Sequence, residues 1–304
     1  MRTEGCKEKN ITILTPTYNR ASLLRRLYTS LVKQTCKEFV WLVIDDGSSD
    51  ETQQLIKEFQ DENLLSIYYE KQVNGGKHRA LNKGIAQITT PLTYIVDSDD
   101  YLPDNAVEVI LCYYEKYRER QDLCGYSFLR CYEDGTVNTA YFKVDEEIDT
   151  FCNIRINGNI GGDKAEVFYT DILKEYPFPE YEGEKFLPED LVWMQMSGKY
   201  QMVHINKCTY ISEYLEGGLT KTGRAMKIYS PIGMMHRSWV YLADKNVCLK
   251  VKVKMMMLYI IYGKFAKIKM GDLIKEVKQK LLFVFLLIPS QVIYRKWKKE
   301  LLIS

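Results

Sequence analysis

Hydrophobic and polar positions follow two alternating periods over the first 120 residues. Four short runs, "ITIL" (11–14), "VWLVI" (40–44), "SIYY" (66–69) and "TYIV" (93–96), are rich in β-branched and aromatic residues. Their nearly continuous apolar character predicts strands covered on both faces. Between them, apolar residues recur at helical spacing: Leu23, Leu24, Leu27 and Leu31, then Leu55, Ile56 and Phe59. The second helix is expected to open in a capping box made by Ser48 and Glu51. Helical segments at 80–88 and 104–118 complete the set. Strand and helix in alternation predict an α/β fold, a mainly parallel sheet flanked by helices with right-handed crossovers.

Residues 121–220 are less regular. "GYSFLRCY" and "VNTAYFKV" read as strands, and "KAEVFYTDILKEY" and "PEDLVWMQMSGKY" as helices. The last begins with Pro188 followed by two acids, as a helix N-terminus should. Gly/Pro-rich loops, among them "EYLEGGLTKTG" (213–223), suggest a mobile binding surface.

In sheets of this kind ligands gather at the carboxyl ends of the strands. Three of the predicted strands end there in polar residues: Thr15 to Arg20, Asp45-Asp46, and Asp97-Ser98-Asp99-Asp100. Carboxylates packed this closely repel one another, and a hard dication such as Mg2+ or Mn2+ would offset that repulsion while leaving room for substrate phosphates. The neighbouring "NGGKHRALNKG" (74–84) carries Lys77 and Arg79, which can meet phosphate, beside two glycines that allow close backbone approach. It also reads as an ordinary glycine turn before a basic helix.

Charge is distributed unevenly. Residues 245–304 hold 14 Lys/Arg against 3 Asp/Glu, whereas the preceding residues hold 28 against 37. The eight cysteines are scattered without a Cys-x-x-Cys pair, which speaks against a zinc site or a disulfide framework. The polar start "MRTEGCKEKN" predicts no signal peptide, and with reduced thiols a cytoplasmic protein is expected.

Together "TPTYNRASLLRRLYTSLVKQT", "WLVIDDGSSDET", "NGGKHRALNKGI" and "IVDSDDYLPDNAVE" resemble the family 2 glycosyltransferases of the GT-A (Rossmann-like) fold. The resemblance covers residues 10–120 closely, and "PEDLVW" extends it to about 200. It implies a metal-dependent enzyme of hexosyltransferase type that holds a UDP-sugar donor. The donor would contact Pro16, Thr17, Tyr18, Arg20, Asp45, Lys77, Arg79 and Ser98, with Asp46 as the base-reading acid. In the DxD motif, Asp97 would lie near the ribose and the metal, and Asp99 would coordinate Mn2+ or Mg2+. The ED motif would make Asp190 the general base, with Glu189 beside it, and a single displacement predicts inversion. The histidines His78, His204 and His236 are given no role.

The division expected is a catalytic GT-A domain over 1–244 and a basic helical C-terminal extension over 245–304. The apolar block Leu281–Ile288 is too short to span a bilayer, which needs about 20 residues. Lysine-rich amphipathic helices with Tyr294 and Trp297 suit an anionic membrane surface, or else a helical subdomain with solvated lysines. The function expected is transfer of a sugar to a hydroxyl of a lipid-linked glycan in bacterial surface polysaccharide synthesis, such as capsule, on the inner face of the membrane. The alternatives are a nucleotidyltransferase and a non-catalytic nucleotide-sugar binding protein; no nucleic-acid partner is expected.

Overall fold

The first, second and fourth apolar runs become strands flanked on both sides and covered on both faces. The third, expected to be covered likewise, forms an edge strand paired on one side, with Tyr68 62% exposed. The computed structural model describes residues 9–212 and 223–301. Strand β1 (Ile11–Thr17) pairs in parallel with β2 (Phe39–Asp45), from Ile11 opposite Phe39 to Thr17 opposite Asp45. Strand β3 (Ile67–Lys71) continues the parallel sheet beyond β2, and β4 (Leu92–Ile95) lies on the other side of β1. Helices α1 (Ala21–Val32), α2 (Thr52–Glu62), α3 (Lys77–Gln87) and α4 (Ala106–Tyr117) alternate with these strands. Leu24, Leu27 and Leu31 of α1 are buried, and Tyr28 stacks on Phe59 of α2 at 3.9 Å between centroids.

Three further strands, β5 (Leu123–Cys131), β7 (Ala165–Tyr169) and β8 (Gln201–Ile211), extend the sheet, with the short β6 (Glu147–Asp149) at its edge. Among the described residues the order is β3-β2-β1-β4-β7-β5-β8-β6. The GT-A α/β architecture expected from the sequence is present. The strands β7 and β6 run antiparallel to their neighbours, and β5 and β8 are parallel.

Two local expectations differ. "KAEVFYTDILKEY" is not one helix but β7 followed by the short α5 (Thr170–Lys174). A short apolar run does not distinguish strand from helix, and here the hydrogen-bonding edges of β4 and β5 decide. "VNTAYFKV" is not a strand; Val137 alone makes a bridge, to Cys131. Side chains compete for its backbone: buried Lys164 donates to Ala140 O, and the Phe142 amide donates to Asn206 Oδ1 at 2.9 Å.

These elements belong to one compact unit, 1–149 with 160–177 and 200–213. The second unit comprises 150–159, 178–199 and 214–304. It holds a π-helical turn (Cys152–Asn157) and helices α6 (Asp190–Ser197), α7 (Gly223–Tyr229), α8 (Pro231–Ala243), α9 (Leu249–Phe265), α10 (Met270–Glu276) and α11 (Lys280–Leu301). This division does not follow the boundary expected at residue 244, because residues 245–301 pack with α7 and α8. Tyr262 of α9 clusters with Ile228 and Met234, and Trp297 of α11 packs against that cluster.

Candidate active site

At the carboxyl rim of the first unit, the polar strand ends are tied to one another. Asn19, at a left-handed φ of 51°, donates its amide to Ser48 Oγ (2.9 Å) and accepts the Ser49 amide on Oδ1 (2.8 Å). Ser48 is therefore spent on the first loop and does not cap α2. The capping oxygen belongs to Asp50, whose Oδ1 accepts the Thr52 amide at 3.1 Å. Pro16 and Thr17 are buried at the end of β1, while Tyr18 projects with 48% exposure. The Thr17 hydroxyl is buried and has no hydrogen-bond partner.

The two acids closing β2 face different loads. Asp45 accepts the Ser48 amide at 2.7 Å and the Tyr69 hydroxyl at 2.6 Å. Asp46 accepts four donors from the turn before α3: Gln72 Nε2 at 2.7 Å, Asn74 Nδ2 at 3.1 Å, and the amides of Gly75 at 2.8 Å and Gly76 at 2.7 Å. Gly76 adopts φ 100°, which disfavours any side chain there. The carboxylate thus substitutes for the missing partners of the α3 N-terminus and fixes where Lys77 begins.

Lys77 Nζ forms an ion pair with Asp97 Oδ1. Arg20 Nη1 lies 3.6 Å from Asp99 Oδ2, and Arg26 donates to the Asp99 carbonyl at 2.7 Å. Beneath the loop, Tyr210 of β8 accepts the Asp97 amide at 2.9 Å and donates to Asp100 Oδ2 at 2.8 Å. Arg130 of β5 sits 3.6 Å from the same Asp100 oxygen and 4.0 Å from the centre of the Tyr210 ring. Burial would raise the Asp97 pKa, but Lys77 and Arg130 outweigh it and hold it below the ordinary carboxylate value. Asp100 is pushed up to about 7 by burial and by the charge of Asp97, with Arg130 and Tyr210 opposing. In this structure cationic side chains offset much of the acidic repulsion. Ser98 is buried in the same loop, and Arg79 is half-buried two residues after Lys77 in α3.

The second unit contains Glu189 and Asp190. Glu189 precedes α6, and Asp190 occupies its first turn. Asp190 is gripped by a fork: Arg237 Nε donates to Oδ1 at 2.6 Å, and Nη2 pairs with Oδ2. The Tyr241 hydroxyl donates to Oδ2 at 2.7 Å. Arg237 and Tyr241 are one helical turn apart on α8, so one helix face presents both. Glu184 anchors the start of α8 by accepting the amides of Ile232 (2.7 Å) and Gly233 (2.8 Å). A side chain at position 233 would press on Leu187 Cδ1 at 2.8 Å and Glu184 Oε2 at 3.2 Å, hence the glycine. Burial would raise the Asp190 pKa, but the charge and hydrogen bonds of Arg237 and the Tyr241 hydroxyl hold it low.

The sequence did not point to Tyr210, Arg130, Arg237 or Tyr241. The available signal was a lone arginine inside an apolar run, in "GYSFLRCY" and in "SPIGMMHRSW". Of "EYLEGGLTKTG", residues 213–222 lie outside the described residues.

A sheet in this order, with its acids gathered on the carboxyl rim, defines a GT-A fold. Its likeness to solved structures agrees: TarS 1–349 of Staphylococcus aureus in complex with UDP-GlcNAc superposes with a TM-score of 0.63 at 20% identity, covering 95% of this chain and 90% of that one. The mannosyltransferase PcManGT of Pyrobaculum calidifontis, in complex with GDP-Man and Mn2+, gives 0.56 at 14% identity over 97% and 84%. Residues 12–153 match the sequence model of glycosyl transferase family 2. Glycosyltransferase GlyA of Streptococcus pneumoniae is 32% identical over 38% of this chain and 16% of its own length. TarS, a poly(ribitol-phosphate) beta-N-acetylglucosaminyltransferase of S. aureus, is 27% identical over 59% of this chain and 30% of its own length. The aligned parts are thus less than a third of these relatives.

GT-A glycosyltransferases commonly use divalent cations. The partners of the two acids test the fit here. Asp99 is a hard oxygen donor, 36% exposed and met by Arg20 at 3.6 Å, beyond hydrogen-bond range, so it can accept a cation. Asp97 is engaged by Lys77. Among the described residues no group of three His, Cys, Asp or Glu side chains forms a cation cage. A cation on Asp99 would therefore complete its shell with substrate phosphate and water.

Proposed function

We propose that the protein transfers a sugar from a UDP-sugar to a hydroxyl of a glycan acceptor, with inversion at the anomeric carbon. The reading is supported by the match of residues 12–153 to the family 2 model and by the UDP-GlcNAc in the TarS complex. The observation that carries it is the loop Asp97–Asp100, held between Lys77, Arg20 and Tyr210 at the strand rim. Thr17, Tyr18, Asp45 and Asp46 would frame the nucleoside, and the unpartnered Thr17 hydroxyl is a ready polar contact. Lys77, Arg20 and Arg79 would meet the diphosphate. Asp99, with Asp97 beside it, would hold Mn2+ or Mg2+, which when bound acts as a Lewis acid on the leaving diphosphate.

The acceptor hydroxyl oxygen forms a bond to the anomeric carbon as the bond to the UDP oxygen breaks, and the hydroxyl proton passes to a carboxylate. Asp190 serves as that base, with Glu189 its neighbour. Its low pKa keeps it ionised at neutral pH, and the Arg237 fork fixes its orientation. A glycan carried on a lipid at the inner face of a bacterial membrane, in surface polysaccharide synthesis, is the acceptor proposed. The basic stretch 245–304 would bring the enzyme to that surface.

The test is calorimetry of UDP and UDP-sugars with Mn2+ or Mg2+, with and without EDTA. Affinity should fall on chelation and on Asp99→Ala. Affinity indifferent to both would overturn the reading.

A further inference from the structure

Helix α11 has two unlike faces. Phe283 and Ser290 are buried, Tyr294 packs 4.8 Å from Phe265, and Trp297 lies 6.0 Å from Tyr262 between ring centroids, so one face docks on α9. The opposite face carries Leu281, Val284, Phe285, Ile288 and Val292, between 54 and 78% exposed. Their spacing of three and four residues aligns them in one stripe. Continued by the same spacing, the stripe turns basic at Arg295, Lys296 and Lys299, all exposed, and it is preceded by exposed Lys278 and Lys280. Large apolar side chains in a contiguous exposed stripe mark a contact surface.

Charge selects the partner. The stripe is basic at both ends, and the single acid of α11, Glu300, is paired with Arg224 at 2.7 Å. A second copy packed along this face in either direction would oppose basic clusters to basic clusters. An anionic lipid surface meets both requirements, with acyl chains for the stripe and headgroups for its ends. From Leu281 to Val292 the stripe is about 16 Å long, against a hydrocarbon core of about 30 Å. No described helix is long and apolar enough to cross a membrane.

We infer that α11 lies in the plane of an anionic membrane, with Leu281, Phe285, Ile288 and Val292 inserted below the headgroups and Lys278, Lys280, Arg295, Lys296 and Lys299 at headgroup level. The inference rests on the membrane association proposed above and names its contact face.

Flotation of the full chain with phosphatidylcholine vesicles, with and without phosphatidylglycerol, tests it. The wild type should float with the anionic vesicles. The variant L281Q/F285Q/I288Q/V292Q should partition about tenfold more weakly or worse at an unchanged melting temperature, since the four side chains are exposed. R295E/K296E/K299E should also lose binding. If the glutamine variant floats like the wild type while the glutamate variant does not, the insertion face is wrong and electrostatic association alone survives. If the wild type floats with neither vesicle, both readings fall. A wild-type dimer that the glutamine substitutions turn into a monomer would assign the face to a second copy and overturn the inference.

Discussion

The Tyr210 hydroxyl joins two acids of one loop, accepting the Asp97 amide at 2.9 Å and donating to Asp100 at 2.8 Å. The two contacts come from residues more than 100 positions away in the chain, and they set the geometry of the Asp97–Asp99 turn from beneath. Tyr210→Phe leaves the ring under Arg130 but removes both hydrogen bonds. We expect a stability loss of about 1 to 3 kcal/mol in denaturant unfolding, together with weaker UDP binding. Unchanged UDP affinity would show that the turn holds its shape without the phenol.

Asp46 fixes the start of α3 through four donors, and α3 begins with the lysine that pairs with Asp97. Asp46→Asn replaces one acceptor oxygen by a donor, which meets amide N–H groups head-on. Release of the Gly75-Gly76 turn should weaken donor binding at least about tenfold, roughly the effect of one lost charge-assisted pair of hydrogen bonds. Isothermal titration with UDP reads this directly, and Asp46→Ala should behave similarly.

Asp190 and Arg237 form a partly buried bidentate pair. Arg237→Met strands the carboxylate and should cost about 3 to 5 kcal/mol, whereas Asp190→Leu combined with Arg237→Met should recover much of that loss. A double-mutant cycle measured by thermal or urea unfolding checks the coupling; additive losses would contradict it.

The same pair sets a pH dependence. Folding lowers the Asp190 pKa below its ordinary 3.8, so the unfolded chain binds the proton more readily. Its stabilisation is complete above that value and is lost as pH falls through the lower, folded value. Acid unfolding of the wild type should therefore contain a component below 3.8 that is missing from the Asp190→Leu/Arg237→Met double variant.

For catalysis, Asp190→Asn should reduce turnover about a hundredfold or more while leaving donor affinity intact. Unchanged turnover would remove Asp190 from the role of base. Asp99→Ala should instead abolish the response of UDP affinity to Mn2+.

Much of the first unit was legible in the chain. "ITIL", "VWLVI", "SIYY" and "TYIV" became β1 to β4 within a few residues; the first, second and fourth are apolar enough to require cover on both faces, while "SIYY" became the half-exposed edge strand. Thr17 closes β1, Asp46 and Asp97 lie within two residues of the ends of β2 and β4, and a parallel sheet delivers such ends to one rim. The strand β7 was not legible: "AEVFY" suits a helix locally, and only the open edges of β4 and β5 call for a strand.

The sequence alone determined the alternation of β1 to β4 with α1 to α4, the resemblance to the family 2 glycosyltransferases, and the rim on which the acids collect, because periodicity and motif spacing act over a few residues. Tertiary structure decided the charge balance of that rim. Lys77 takes Asp97, Tyr210 and Arg130 brace Asp100, and Arg237 locks Asp190. It also decided which side of α11 remains exposed. Such contacts join residues distant in the chain, and the energy of a buried ion pair depends on distance and desolvation that only packing creates.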